Sequence, residues 1–286
     1  MIKITQLQFD YGRTRVYDDF SLTLHKPGVY GLFGRNGSGK STLLKILSGL
    51  LFPHGGAVEV LGCKPAQRRP DFLEQVYVVP EEFHLPNISL DVLQKTQAPF
   101  YPRFSVEDFQ SYAQIFEIPS GKGFASMSLG QKKKAVIAFA LATHTPLLLM
   151  DEPTNGLDIP GRAQFKSIMG RDEHANRMVI ISTHQAHDLE SLMRHVLFVD
   201  AGKIALSCGM DTLQRALRLG VADDRSATVG SIYQEAIGNQ WAYVASNTGD
   251  TPGAVNLELL YKALSMNKQA VLDAVAPHQD AAESSQ

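Results

Sequence analysis

Pro27-Gly28-Val29-Tyr30-Gly31-Leu32-Phe33-Gly34-Arg35-Asn36-Gly37-Ser38-Gly39-Lys40-Ser41-Thr42 is the stretch from which the rest of the chain is read. The apolar run Val29 to Phe33 predicts a buried strand. It gives way to a loop with three glycines, Gly34, Gly37 and Gly39, and Ser41-Thr42-Leu43-Leu44-Lys45-Ile46-Leu47 then starts a helix. Gly34 to Ser41 fits G-x-x-x-x-G-K-[ST] in the strand–loop–helix context that this pattern requires. Glycines let the backbone curl so that N–H groups point inward, and the helix N-terminus adds positive potential. Arg35, Asn36, Ser38 and Thr42 complete the cradle, Lys40 can reach the β- and γ-phosphates, and the Ser41 hydroxyl can ligate Mg2+. The stretch predicts a nucleoside triphosphate site.

A second apolar run, Pro146-Leu147-Leu148-Leu149-Met150-Asp151-Glu152, ends in two carboxylates. Unbroken apolar strands suit a parallel sheet covered on both faces, and ligands bind at the carboxyl ends of such strands. Asp151 is the expected second holder of magnesium opposite Ser41. Glu152 is placed to act as general base on a water attacking the γ-phosphate. Arg177 to Ser182 predicts another core strand, and His184 follows it, beside the expected γ-phosphate site.

The chain has 286 residues, 44% apolar and 20% charged, and is long enough for one large domain with an appendage or for two small domains. A net charge of −2 lacks the basic footprint of a nucleic-acid binder. Cys63 and Cys208 form neither a disulfide framework nor a zinc spacing, and both predict small buried hydrophobes. The opening Met1-Ile2-Lys3-Ile4-Thr5 reads as strand rather than as a signal peptide. No run of 18 apolar residues occurs, so membrane association is expected through a partner.

Residues 2–9 and 16–25 alternate as antiparallel strands around Gly12, with Tyr11 just before the turn. Strands are expected at 57–61 and 76–79, helices at 91–97, 106–116 and 129–142, and a helix at 159–171. Asp188 to Met193 predicts a helix, and 195–199 with 203–207 a hairpin. Past Ala216 the pattern weakens to one helix, Leu257 to Val275, and a disordered tail. Lys132-Lys133-Lys134 reads as the solvated face of a helix, and Arg68-Arg69 as ordinary surface. His187, three residues past His184, has no further ligand in view, and the other histidines show no metal spacing.

Four further stretches give the pattern a family likeness. Met127-Ser128-Leu129-Gly130-Gln131 resembles the LSGGQ signature of the ABC ATPases, and a serine hydroxyl with glycine N–H groups at a helix start makes a second anion site. Asp151-Glu152-Pro153-Thr154-Asn155-Gly156-Leu157-Asp158 resembles that family's Walker B and D-loop, and Ile181-Ser182-Thr183-His184 its switch histidine. Tyr11 falls where the family places the aromatic that stacks on adenine. The likeness covers residues 1 to about 210.

The resemblance implies an α/β fold: a P-loop NTPase core of mainly parallel sheet with an N-terminal antiparallel part, a helical insert at about 85–143 and a C-terminal accessory segment. The implied division is an ATPase domain at 1–215, the accessory segment at 216–275 and a disordered tail at 276–286. The resemblance also implies ATP and Mg2+ as ligands, with Glu152 and His184 catalytic. Two such domains, as homodimer or paired subunits, would close head to tail, each ATP lying between one phosphate loop and the other chain's Ser128, Gly130, Gln131 and Asp158.

Two departures stand out. The usual glutamine of the Q-loop is Glu81, a third candidate for the metal, and the third signature residue is Leu129. Both are similar to ATP-binding subunits of bacterial exporters that pair with separate transmembrane permease chains at the inner face of the cell membrane. Residues 257–263 resemble the closing helix of that subset. Two other readings compete. A soluble ABC ATPase acting on ribosomes or DNA would carry two cassettes or a long coiled-coil insert, whereas Lys40 to Ser128 spans about 88 residues. A small-molecule P-loop kinase leaves Ser128 to Gln131 and His184 unexplained.

Overall fold

The computed structural model describes residues 1–174, 176–184, 189–249 and 251–283. The N-terminal alternation becomes β1 (Ile2–Tyr11) and β2 (Thr14–Leu24), antiparallel, with Ile2 opposite Leu24 and Tyr11 opposite Thr14. β3 (Gly28–Phe33) runs into the phosphate loop and α1 (Lys40–Leu47). β4 (Gly55–Val60) pairs with the other edge of β1, giving a small antiparallel sheet in the order β2-β1-β4. A single turn of helix, α2 (Pro70–Leu73), precedes β5 (Val76–Val79). The helices α3 (Leu90–Gln97), α4 (Val106–Ile115) and α5 (Leu129–Ala142) follow before the chain returns as β6 (Leu147–Asp151). Then come α6 (Ile159–Met169), β7 (Met178–Ser182) and the hairpin of β8 (His195–Asp200) and β9 (Lys203–Gly209).

The main sheet has the order β5-β6-β7-β3-β8-β9, parallel except for the antiparallel edge strand β9. Every residue of β3, β6 and β7 is buried. Successive side chains of a strand point to opposite faces, and the core divides accordingly. Tyr30, Leu32, Leu147, Leu149 and Ile180 pack with α1 and the antiparallel sheet. Val29, Phe33, Leu148, Met150 and Ile181 pack with α5 and the C-terminal residues. Each fully buried leucine or isoleucine contributes roughly 1.5–3 kcal/mol over exposure, so these strands hold their register firmly and fix where their carboxyl ends lie.

The insert closes around Phe139 of α5, whose ring meets those of Tyr77, Phe104 and Phe109 at centroid distances of 5.8, 5.0 and 5.7 Å. Serine caps start its helices: Ser89 accepts from the Val92 N–H, Ser105 from Asp108 and Ser128 from Gln131.

The C-terminal segment departs from expectation. After α7 (Met210–Ala216), β10 (Leu217–Ala222), β11 (Tyr233–Ile237) and β12 (Gln240–Ser246) form an antiparallel sheet in the order β10-β12-β11, where no strand was expected. The single helix expected from Leu257 to Val275 is two, α8 (Leu257–Met266) and α9 (Lys268–Glu283), separated at Asn267, whose non-helical backbone (φ −143°, ψ 59°) ends the first. The tail expected to be disordered from residue 276 is helical through Glu283, because Val271 and Val275 bury in the core and Gln279 donates to the Ser207 carbonyl at 2.8 Å. Only three residues of the helix expected at 188–193 turn, as a 3₁₀ turn at Glu190–Leu192, and Asp188 and His187 lie outside the described residues. Cys208 is buried and Cys63 half-buried.

Candidate functional site

The phosphate loop is shaped by contacts that only glycine permits. At Gly34 a Cβ would lie 2.4 Å from the Val199 carbonyl oxygen. At Gly39, whose φ is 104°, it would lie 2.5 Å from the Tyr17 hydroxyl, which donates to the Gly39 carbonyl at 2.8 Å. Arg35, Asn36 and Gly37 are exposed, while Ser38, Lys40 and Thr42 are buried. Lys40 Nζ donates to the carbonyls of Gly34 and Arg35 at 2.9 and 3.3 Å. Ser38 Oγ is buried with no hydrogen-bond partner among the described residues. A buried orphan hydroxyl is costly, and a phosphate oxygen held in the loop would satisfy it. Tyr11 is half exposed beside this loop, its hydroxyl accepting from Thr42 Oγ1 at 3.5 Å and its ring edge-on to Phe9.

The neighbouring strand ends bring the carboxylates alongside. Asp151 closes β6 opposite Ser182 of β7, whose hydroxyl donates to Asp151 Oδ1. Glu152 follows with φ 45°, in the left-handed region, a conformation that costs of order 1 kcal/mol in a non-glycine residue. Its N–H donates to the Ser182 carbonyl at 3.0 Å, and His184 Nδ1 stands 2.8 Å from its Oε1. Burial pulls the Lys40 ammonium below the usual lysine range, opposed by Glu152, Asp151 and Glu81. That opposition places three carboxylates within electrostatic reach of the loop lysine. A cavity of about 440 Å³ borders this region, lined by Gly34, Arg35, Asn36, His184, Glu258 and Tyr261.

The donor set fits magnesium. Ser41 Oγ, in the first turn of α1, and the Asp151 carboxylate, at the end of β6, are hard oxygens, and magnesium is held by one or two carboxylates plus phosphates and water rather than by an all-protein cage. Glu81, the third metal candidate, lies in the loop after β5, and its Oε1 accepts from Asn155 Nδ2 at 3.1 Å.

The signature residues sit at the start of α5. Ser128 Oγ accepts from the Gln131 N–H at 3.2 Å and Gln131 Oε1 from the Ser128 N–H at 3.0 Å, a reciprocal cap. Leu129 is 67% exposed, and Gly130 packs so closely on the Gly156 carbonyl that a Cβ would lie 3.3 Å from its oxygen. Asp158 caps α6, and the Gly161 N–H, then Lys134, hold its carboxyl below the usual carboxylate range.

Here the lysine run corrects the expectation. Lys132 is partly exposed, but Lys133 and Lys134 are buried. Lys134 reaches Asp158 Oδ1 at 3.3 Å, and Lys133 Nζ donates to the Glu81 and Glu152 carbonyls at 3.2 and 2.9 Å. Arg68 is exposed, as expected of surface, and its guanidinium donates to the Gly49 carbonyl at 2.7 Å.

The profile of the ABC transporter family matches residues 17–155, from β2 through Asp151 and Glu152. The uncharacterized ABC transporter ATP-binding protein YybJ of Bacillus subtilis (strain 168) is 30% identical over 220 residues, 72% of this chain and 96% of that protein. The bacitracin transport ATP-binding protein BcrA of Bacillus licheniformis is 27% identical over 240 residues, 80% of this chain and 78% of that protein. Among solved structures, an ATP-binding subunit of an ABC transporter superimposes with a TM-score of 0.67 at 24% identity, covering 75% of this chain and 92% of that one. With a phosphate loop, paired strand-end carboxylates and a capped signature helix on the fold of that subunit, the chain belongs to the family of ABC transporter ATP-binding proteins.

Proposed function

We propose that the chain is the ATP-hydrolysing subunit of an exporter and that it drives a separate membrane permease. The observation that carries the hydrolytic part is the Glu152–His184 pair, 2.8 Å apart at the strand ends next to the phosphate loop. The phosphate loop, Gly34 to Thr42, holds the triphosphate, with Lys40 on its terminal phosphates and Tyr11 against the base. Ser41 and Asp151 hold Mg2+, with Glu81 at the edge of the same charge cluster. Bound there, the ion would neutralise charge on the phosphate oxygens. Glu152 takes the proton of the attacking water, and His184 fixes the orientation of its carboxylate. Ser128, Gly130, Gln131 and Asp158 face a second cassette's nucleotide, so closure of two cassettes assembles each site.

The transport role is supported by BcrA, which carries bacitracin transport in its name. No helix among the described residues is long and apolar enough to cross a membrane, and a permease chain would supply that path. Export is the direction favoured by the Glu81 and Leu129 departures, which are similar to those of exporter subunits.

Phosphate release from ATP by the purified chain and by Glu152→Gln tests the hydrolytic assignment. The variant is expected to bind ATP as the parent does and to turn over roughly 10²–10⁴-fold more slowly, the usual worth of a positioned base. Turnover at the parental rate would remove Glu152 from that role. Co-purification with a membrane chain encoded alongside tests the transport assignment.

A further inference from the structure

Three consecutive lysines on a helix fan out by about 100° each, and on α5 they meet three different surroundings. Lys132 looks partly to solvent, and Lys134 pairs with Asp158. Lys133 is 3% exposed and points at the ends of two neighbouring strands. β5 and β6 run parallel with Val79 opposite Met150, so the loops that leave them, carrying Glu81 and Glu152, emerge side by side. Lys133 Nζ spans the gap, donating to the Glu81 carbonyl at 3.2 Å and the Glu152 carbonyl at 2.9 Å.

Glu152 is held on three sides. Its N–H is bound by Ser182, its carbonyl by Lys133 and by the Asn155 N–H at 3.2 Å, and its side chain by His184. A residue in the left-handed region stays there only where its surroundings over-determine it. The Glu81 carbonyl accepts from the same ammonium. The second bridge between these loops, Asn155 Nδ2 to Glu81 Oε1, is exposed, so water competes with it, whereas the lysine bridge is buried at Glu152, part-buried at Glu81 and charge-assisted at both.

We propose that Lys133 is a positioning residue that ties the Glu81 loop to the backbone of Glu152. Displacement of that loop then reaches the hydrolytic carboxylate through one ammonium group. The link rests on the reading of Glu152 as general base only for its effect on turnover; as a mechanical coupling it stands on the two hydrogen bonds.

Hydrogen exchange of the full chain without nucleotide reads the coupling directly, in the parent, in Lys133→Met, which keeps the stem and loses the donor, and in Lys133→Gln, which keeps uncharged donors on a shorter arm. The Met variant is expected to raise exchange together around Glu81 and around Glu152, by about tenfold, the scale of one lost hydrogen bond. Its kcat should fall about 10–100-fold with nucleotide affinity within about threefold of the parent, a loss confined to the transition state. The Gln variant should lie between parent and Met in both readouts. Exchange that rises at one segment alone, or at neither, overturns the coupling whichever group proves to be the base; parental kcat in Lys133→Met, where Glu152→Gln is slow, overturns the positioning role. If Lys133→Met fails to fold, the exchange pattern of Lys133→Gln decides by the same criterion.

Discussion

Glu152 and Glu81 occupy neighbouring strand-ends but carry their charge into different settings. Glu152 is buried against His184, and Glu81 is exposed with one oxygen on Asn155. A carboxylate at position 81 offers a hard cation a better ligand than an amide would, and it repels the triphosphate when no cation is present. Glu81→Gln is therefore expected to raise the magnesium concentration that half-saturates assisted nucleotide binding by about tenfold, the worth of one contact to a charged group, while leaving the ATP site able to fill. Superimposable magnesium titrations of parent and variant would remove Glu81 from the metal and leave it a contact for the proposed permease. At this scale the candidate site was legible as a pattern, because phosphate chemistry demands particular residue types at fixed spacing: Gly34, Gly39 and Lys40 share one loop, and Asp151, Glu152 and His184 lie at the neighbouring strand ends. Lys133 was not. A lysine run suggests a wet surface, yet the residues after it, Ala135 to Ala142, are apolar all round, the pattern of a helix buried on every side. That pattern was the available signal that the run had no polar face to occupy.

At the scale of elements, the buried strands set both geometry and pH response. β8 carries His195 against Tyr30, with its Nε2 2.9 Å from Ser207 Oγ, and burial lowers the imidazole to about 4. The unfolded chain takes up that proton near pH 6.5, so between about 6.5 and 4 the unfolded state binds more protons and stability falls with falling pH, by about 1.4 kcal/mol per unit for one group. His195→Gln removes this contribution. Urea unfolding at pH 7 and pH 5 should show the parent losing about 2 kcal/mol more than the variant; equal losses would contradict a neutral, half-buried His195. The parallel strands were readable because each is an unbroken apolar run, and the insert helices because their serine caps precede apolar periodicity. The accessory sheet was missed because β11 holds Gln234 and Glu235 in a half-buried strand with little apolar alternation. Its turn, Gly238-Asn239 between β11 and β12, with Gly238 at φ 60°, was the one local hairpin signal. The break between α8 and α9 follows from Asn267, a residue that ends helices readily.

For the molecule as a whole, the C-terminal segment is built into the core rather than appended to it. Leu257, Leu260, Val271 and Val275 join the buried cluster that covers one face of the main sheet, Tyr261 stacks on Phe198 at 6.0 Å, and the Leu257 N–H donates to Glu190 Oε1 at 2.6 Å. These long-range contacts carry no local sequence pattern, which is why the segment's place was not legible while the α/β core was. The phosphate loop and the signature serve different nucleotides in the proposed cycle, so a single chain holds two half-sites and completes neither alone. The nucleotide-free chain is accordingly expected to be mainly monomeric, and ATP to join two copies or two paired cassettes. The measurement that bears most directly on this is the solution mass of Glu152→Gln with and without ATP and magnesium, since slowed hydrolysis preserves the closed state. The account predicts a monomer without nucleotide and a stable dimer with it; the same species under both conditions would contradict it.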